Sequence, residues 1–378
     1  MRILALGLAW FPESPGGLSR YYGDLLGQLA LGGHPVRGLV AGSARVEAES
    51  LGRVSAFSSV QVPLPRRLLA CRAAIGKALA ADRPDLVASH FALYTLPALD
   101  RLGDRPLVVH FHGPWACEAG VEGGSRVEVA IKRRLEGLVY RRAQRCIVLS
   151  PAFGKMLVER YGVDAQRIRV IPGGVDAIRF GVDIPRAAAR ESLGWPAGRP
   201  ILLTVRRLVQ RMGLDRLVAA MRTVCRRHPD ALLLIAGQGS LAAHLQSRIR
   251  DLGLTGHVRL IGFVPDGQLP VAYRAADLSV VPSVALEGFG LSAAESLAAG
   301  TPVLVTPVGG LPDVVSDLAP GLILRDASVA AIAAGIDDAL AGRLPLPSAA
   351  RCAAYARARF DWPQVMPRIL ETYRDSVS

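Results

Sequence analysis

The chain has 378 residues, 51% hydrophobic and 20% charged, a balance that excludes a disordered polymer and supplies enough length for two cores. Its formal net charge of +13 suits anionic partners such as nucleotide diphosphates, an acidic membrane surface or nucleic acid. No apolar run reaches the roughly 18 residues of a membrane span, and residues 1–8 are too short a stretch for a signal peptide, so a cytoplasmic protein is expected. Five cysteines (Cys71, Cys117, Cys146, Cys225 and Cys352) stand apart without C-x-x-C spacing. Free thiols are expected, and no zinc site.

Residues 2–8 (RILALGL) read as a short buried strand, followed by a loop carrying Gly16-Gly17. In residues 19–31, Tyr22, Leu25, Leu26 and Leu29 recur at helical spacing. Gly32-Gly33 closes that helix and residues 36–40 form a second strand. This is a Rossmann-like βαβ opening, although without G-x-G-x-x-G the dinucleotide fingerprint does not apply. Residues 84–89 (PDLVAS) read as the next buried strand, followed by His90. Residues 106–111 (PLVVHF) lead into His110, His112 and Gly113. Ligands bind at the carboxyl ends of strands in parallel α/β sheets, which singles out His112; His90 and His110 read as structural. Strand alternation puts His110 and His112 on one face. The helical stretch 127–143 carries Lys132, Arg133, Arg134, Arg141 and Arg142. It reads as a solvated face or as a docking face for an acidic membrane surface. No aromatics are interleaved with these cations, so nucleic acid is not an expected partner. Strands follow at 145–150 and 167–171, then the turn Pro172-Gly173-Gly174-Val175-Asp176 and a Pro- and Gly-containing linker at 181–199.

The second half repeats the alternation. Strand 200–205 ends in Arg206-Arg207-Leu208, strand 231–236 in Gly237-Gln238-Gly239, and strand 258–261 in Gly262-Phe263-Val264. The apolar run 278–281 stops at Pro282. A loop with Glu287, Gly288, Phe289 and Gly290 then leads into a helix over 291–299, and Pro302 opens another strand. Strand, glycine loop and helix together present backbone N–H groups and a helix N-terminus to an anion. Glu287 and Glu295 flank that place with seven residues between them. A carboxylate repels phosphate but accepts hydrogen bonds from hydroxyls, which points to a sugar and a ribose on either side of a phosphate. Ser292-x-x-Glu295 also has the spacing of a helix capping box. Residues 362–378 read as an amphipathic helix with Val365, Ile369, Leu370 and Tyr373 on one face.

The segment from Glu287 to Glu295 resembles the E-x7-E signature of the retaining glycosyltransferases of family 4, and the likeness runs from Gly16-Gly17 to Trp362. The resemblance implies the GT-B fold: two Rossmann-like α/β domains facing each other across a cleft. The acceptor-binding domain would be residues 1–182 and the donor-binding domain 183–361, with a last helix, 362–378, crossing back to the first. It implies that Glu287 contacts the donor sugar, Glu295 the ribose, and Gly288, Phe289, Gly290 and Leu291 the distal phosphate. Gly16 and Gly17 match the family's glycine loop near the phosphates and the acceptor. His112 matches a histidine lining the reaction centre. Aligned on Gly213, Arg207 stands where the family has a phosphate-gripping arginine. Met212 stands where it has a lysine, so Arg211 becomes the substitute cation. Gly237, Gly262, Phe263 and Val264 would frame the base. The expected catalytic set is His112, Glu287 and Arg207. The chain contains no Asp-x-Asp motif to hold a metal, so metal-independent transfer is expected, with no cofactor. The partners implied are a nucleotide-sugar donor and a glycan, lipid-linked or small-molecule acceptor, with peripheral membrane contact through the basic helix. An epimerase acting on a sugar nucleotide and a non-catalytic nucleotide-binding protein are the alternatives.

Overall fold

A computed structural model describes every residue of the chain except Pro12, Pro15 and Ser378. The chain divides into two compact units, one built from Met1–Gly174 with Val365–Ser378 and the other from Val175–Gln364. Among the described residues no helix is long and apolar enough to cross a membrane.

The first unit holds a seven-stranded sheet of β1 (Ile3–Ala9), β2 (Val36–Ala41), β3 (Val54–Ser58), β4 (Leu86–Ser89), β5 (Leu107–Phe111), β6 (Arg145–Val148) and β7 (Ile168–Val170). Their order is β3-β2-β1-β4-β5-β6-β7. Every pairing is parallel, with Ile3 opposite Val36 on one side and Leu86 on the other. Parallel strands buried on both faces read as continuous apolar runs, and the inner strands stand out in the sequence on that account. The edge strands β3 (VSAFS, only Val54 fully buried) and β7 (IRV, none fully buried) lack such a run, and of the two only β7 is among the expected strands. Gly38 on β2 lets Tyr22 of the helix Gly17–Leu31 lie flat on the sheet. A Cβ there would come within 2.6 Å of the Tyr22 hydroxyl, which instead donates to Ala5 O at 3.0 Å.

The second unit holds β8 (Ile201–Val205), β9 (Leu232–Ala236), β10 (Val258–Gly262), β11 (Leu278–Val281) and β12 (Val303–Val305). They are again all parallel, in the order β10-β9-β8-β11-β12. Each sheet reverses its winding once, between β1 and β4 in the first and between β8 and β11 in the second. Loops leave such a point in opposite directions and open a crevice at the carboxyl ends of the strands.

The units divide after Gly174, earlier in the chain than the expected boundary at 182. The reason is local. Val175 bridges to Asp361, and Asp361 Oδ1 accepts from Ala177 N at 3.1 Å. Asp176 caps the short helix Ala177–Phe180 by accepting from Arg179 N at 2.8 Å. That helix packs on the helices Leu291–Ala298 and Ala349–Phe360, so residues 175–182 belong with the second unit. The final helix, Trp362–Val377, buries Ile369 and Tyr373 completely, whereas Leu370 on the expected face is half-buried. From Val365 onward it is part of the first unit.

Candidate active site

At the winding reversal of the second unit, β8 ends and Arg206 follows, buried at 9% exposure. Its guanidinium makes a close ion pair with Glu287 Oε2, donates to Ser283 Oγ, and donates to Ser292 Oγ at 3.1 Å. Ser283 Oγ passes the contact on, donating to Glu287 Oε2 at 2.8 Å. Burial pushes the Glu287 carboxyl up. The Arg206 charge and hydrogen bond, Ser283 and the Arg211 charge outweigh it and hold the group below the ordinary carboxylate range. Glu287 is therefore an anion at neutral pH.

The loop that presents Glu287 is held by backbone. Arg211, buried, donates to Leu286 O at 3.2 Å. Leu286 itself sits at φ 53°, a left-handed conformation uncommon for a branched side chain. Gly310 N donates to Glu287 O at 3.0 Å. A Cβ on Gly309, whose φ is +59°, would lie 1.9 Å from that same oxygen. Gly288 and Phe289 are buried, and the Phe289 ring packs on Phe360 at 5.3 Å, so that stretch offers a ligand only backbone. Gly290, at φ 92°, is the N-cap of the helix Leu291–Ala298. Ser292 lies inside the helix and its hydroxyl faces Arg206, so the capping box suggested by Ser292-x-x-Glu295 does not form. Glu295, 5% exposed, accepts from Tyr273 Oη at 2.9 Å.

Of the two arginines that follow β8, the one at Glu287 is Arg206. Arg207 is exposed. Gly237 backs onto Arg206, where a Cβ would come within 1.9 Å of Arg206 O. Gly237 N donates to Gly262 O at 2.7 Å, which brings the ends of β9 and β10 together beside β8. Phe263, 45% exposed, and half-buried Val264 continue from there.

In the first unit, Gly16 and Gly17 begin the helix Gly17–Leu31 with Gly16 as its N-cap. His90 follows β4, His110 lies on β5, and His112 follows it. The three rings are nearly parallel. His90 stacks on His110 with centroids 4.2 Å apart and planes 15° apart. His90 and His112 meet edge to edge, Nδ1 to Nε2 at 3.1 Å with planes 19° apart. Tyr21 closes the cluster with its ring 4.8 Å from that of His112. His110 Nε2 bonds Tyr373 Oη at 2.7 Å. Burial pulls all three histidines down, His112 to about 3, so the cluster is neutral at pH 7. One ligand nitrogen from each lies within 4.8 Å of the others. A metal, however, sits in the plane of each imidazole that binds it, and an ion in the plane of His90 lies off the plane of the stacked His110 by most of the stacking distance. The rings as they stand do not converge on one ion.

His90, Arg206, Ser283 and Tyr273 were not singled out by sequence reasoning. Arg206 shares its place with an equally plausible neighbour, and His90 meets a partner 22 residues away across the strand pair β4–β5. Among the aromatics of the first unit, Tyr94 is buried in the core, Trp10 donates to Glu49 at 3.1 Å, and Trp115 lies under Lys132 at 4.4 Å.

Residues 15–179 match the family described as Glycosyltransferase Family 4, and residues 185–359 the one described as Glycosyl transferases group 1. The chain is similar to the D-inositol 3-phosphate glycosyltransferase of Nocardia farcinica (strain IFM 10152), 35% identical over 76% of this chain and 66% of that protein. It is also similar to the glycogen synthase of Mycobacterium tuberculosis (strain ATCC 25618 / H37Rv), 31% identical over 99% of this chain and 94% of that one. The chain thus spans just under two thirds of the first relative's length and nearly all of the second's. Among solved structures, the sucrose-phosphate synthase of Thermosynechococcus elongatus matches with a TM-score of 0.84 at 24% identity, each chain covered to 99%. Anabaena HepE, solved in complex with UDP and glucose, matches with a TM-score of 0.81 at 21% identity, covering 99% of this chain and 100% of that one.

Proposed function

Because the chain belongs to glycosyltransferase family 4 and its two sheets are the Rossmann-like halves of the GT-B fold, we propose that it is a retaining, metal-independent transferase moving a sugar from a nucleotide-linked donor to an acceptor hydroxyl. The observation that carries this reading is the largely but not fully buried carboxylate of Glu287, kept ionised by Arg206 beside a glycine turn at the β8–β11 reversal. Arg206 and Ser283 both engage Oε2 of Glu287, which leaves Oε1 for the hydroxyls of a sugar. The same ties make Glu287 a poor nucleophile, so a covalent double displacement is the lesser route.

Breaking a glycosyl–phosphate bond leaves a diphosphate anion and an oxocarbenium-like sugar. Arg207, exposed at the end of β8, and Arg211 beside Leu286 are the cations assigned to the diphosphate. The N-terminus of the helix Leu291–Ala298 adds a positive dipole end, each such contact being worth about 0.3–1 kcal/mol when exposed and more in a dry site. Glu295 takes the ribose, and Gly237, Gly262, Phe263 and Val264 take the base. In the first unit Gly16, Gly17 and His112 are the residues assigned to ligand contacts, His112 as a hydrogen-bonding group for a sugar or acceptor hydroxyl. The leaving phosphate takes the acceptor proton on the face it departs from, which needs no strong protein base. HepE was solved with UDP and glucose, which makes UDP the first nucleotide to try.

The test is a thermal-shift screen of the whole protein against UDP, GDP, ADP and TDP, each with and without EDTA. Stabilisation grows with ln(1 + [L]/Kd). One nucleotide should raise Tm alone, equally with EDTA. No shift with any of the four would overturn the donor-site reading, and a shift abolished by EDTA would overturn metal independence. Turnover that requires no acceptor would favour an epimerase.

A second reading concerns the acceptor's location. The helix Arg126–Arg142 exposes Val127, Ile131 and Leu138 along one stripe, next to exposed Arg133, Arg134 and Arg141. An apolar stripe edged by cations suits an anionic bilayer surface and hence a lipid-linked acceptor. Cosedimentation with phosphatidylserine vesicles should be lost in an Ile131→Glu/Leu138→Glu variant. Equal pelleting of variant and wild type would dismiss it.

A further inference from the structure

The edge-to-edge contact between His90 Nδ1 and His112 Nε2 joins two neutral imidazoles. A neutral ring carries its proton on one nitrogen and a lone pair on the other, so one histidine donates and the other accepts. The far nitrogen of His90 decides which. His90 is 3% exposed and its Nε2 is buried with no partner among the described residues. An orphaned buried N–H is rarer in native proteins, and costlier, than an unmet acceptor. The proton of His90 therefore belongs on Nδ1, where it has an acceptor, and Nε2 keeps the bare lone pair. His112 must then receive that hydrogen bond at Nε2 and carry its own proton on Nδ1.

We propose that His90 is a positioning residue that locks His112 as the neutral Nδ1–H tautomer, so that His112 meets its ligand as a hydrogen-bond donor rather than as a base. The class of ligand group follows from this. Nδ1–H seeks an oxygen lone pair, such as that of a sugar hydroxyl or ring oxygen, and does not take the acceptor's proton. His110 reinforces the arrangement. Its Nε2 is engaged by Tyr373 and its Nδ1 is also buried with no partner among the described residues, so the ring stacked on His90 is a second neutral group in which a proton on Nδ1 would have no acceptor. The inference rests on the reading of His112 as a ligand-contacting residue, but the tautomer is a property of the free protein.

The experiment is a long-range 1H–15N correlation spectrum of the full chain labelled with 15N-histidine, recorded at neutral pH without ligand. His112 signals are assigned by their loss in His112→Gln. His112 should show a protonated Nδ1 and an unprotonated Nε2. In His90→Leu, which removes the donor, the Nε2–H form should appear. In His90→Gln, whose amide N–H can donate to His112 Nε2, the Nδ1–H form should return. An Nε2–H tautomer of His112 in the wild-type protein would overturn the proposal, and so would a pattern in folded His90→Leu identical to wild type. In an assay of sugar transfer, His90→Leu should lower kcat roughly ten-fold, the scale of one lost hydrogen bond, with donor KM little changed. His90→Gln should recover part of that loss. Wild-type kcat in His90→Leu would also count against it. If the chain transfers no sugar at all, the spectra still decide the tautomer, and only the transferase reading falls.

Discussion

Glu287 and Arg206 form the one pairing on which both the fold of the 283–292 loop and the proposed chemistry depend. Removing one partner of a buried ion pair leaves an uncompensated charge, at a cost of about 3–5 kcal/mol. Glu287→Gln should therefore lower Tm as well as kcat, and the stability loss should be much smaller in an Arg206→Met/Glu287→Gln double variant. Additive losses in the two single variants would show that the pair is not coupled. The pH dependence follows from the lowered carboxyl of Glu287. A depressed acid contributes stability above its unfolded pKa and loses it as pH falls through the folded value. The Tm difference between wild type and Glu287→Gln should thus stay constant from pH 8 to 5, and shrink only below the ordinary Glu value of about 4.3. Glu287 and Glu295 were legible in the sequence because their spacing brackets a helix start. Arg206 was not. Two successive side chains leave a strand end in different directions, and which one turns inward depends on how β8 registers with β11, Leu202 opposite Leu278.

At the scale of elements, the parallel strands read almost directly from their apolar runs, and β3 escaped because an edge strand need not be apolar. Helix interiors were legible as well, but their ends and faces were less so. The stretch 127–143 reads from its charges as a solvated face. Yet Glu136 within it is buried, accepting from Trp115 N at 2.8 Å, Ala116 N at 3.2 Å, Tyr140 Oη at 3.1 Å and Tyr161 Oη at 2.9 Å. Apart from Tyr140, one turn on in the same helix, its partners lie on other elements, so periodicity along the helix carries little trace of them. Loop stacking was similarly hidden. The place of Gly309 is set by the carbonyl of Glu287 directly beneath it, a contact that nothing in the neighbouring sequence marks. Gly309→Ala should force these two backbones apart and take Glu287 with them. The expected result is a loss of donor affinity or turnover larger than the fall in Tm explains. Unchanged kinetics in a folded Gly309→Ala protein would show that the loop tolerates the shift.

For the whole molecule, two α/β halves followed from the alternation of strands and helices, and right-handed crossovers leave few orders for parallel strands. The division between the halves did not follow, because the residues after Gly174 are claimed by a bridge to Asp361, far along the chain. The last helix matters to the first unit through Ile369 and Tyr373, both fully buried. A chain ending at Gln364 should lose hydrogen-exchange protection in β1, β4 and β5 while β8, β9 and β11 keep theirs. Uniform loss in both sheets, or in neither, would contradict the division into these two units.

That division also fixes an order of events. The first unit is written in two pieces, Met1–Gly174 and Val365–Ser378, so the second is an insertion within it. A ribosome finishes the inserted unit before it supplies the closing segment of the unit that began first. The amino-terminal half must wait with the surface for Ile369 and Tyr373 uncovered while its neighbour already has every residue it needs to fold. The half synthesised first is thus the half completed last.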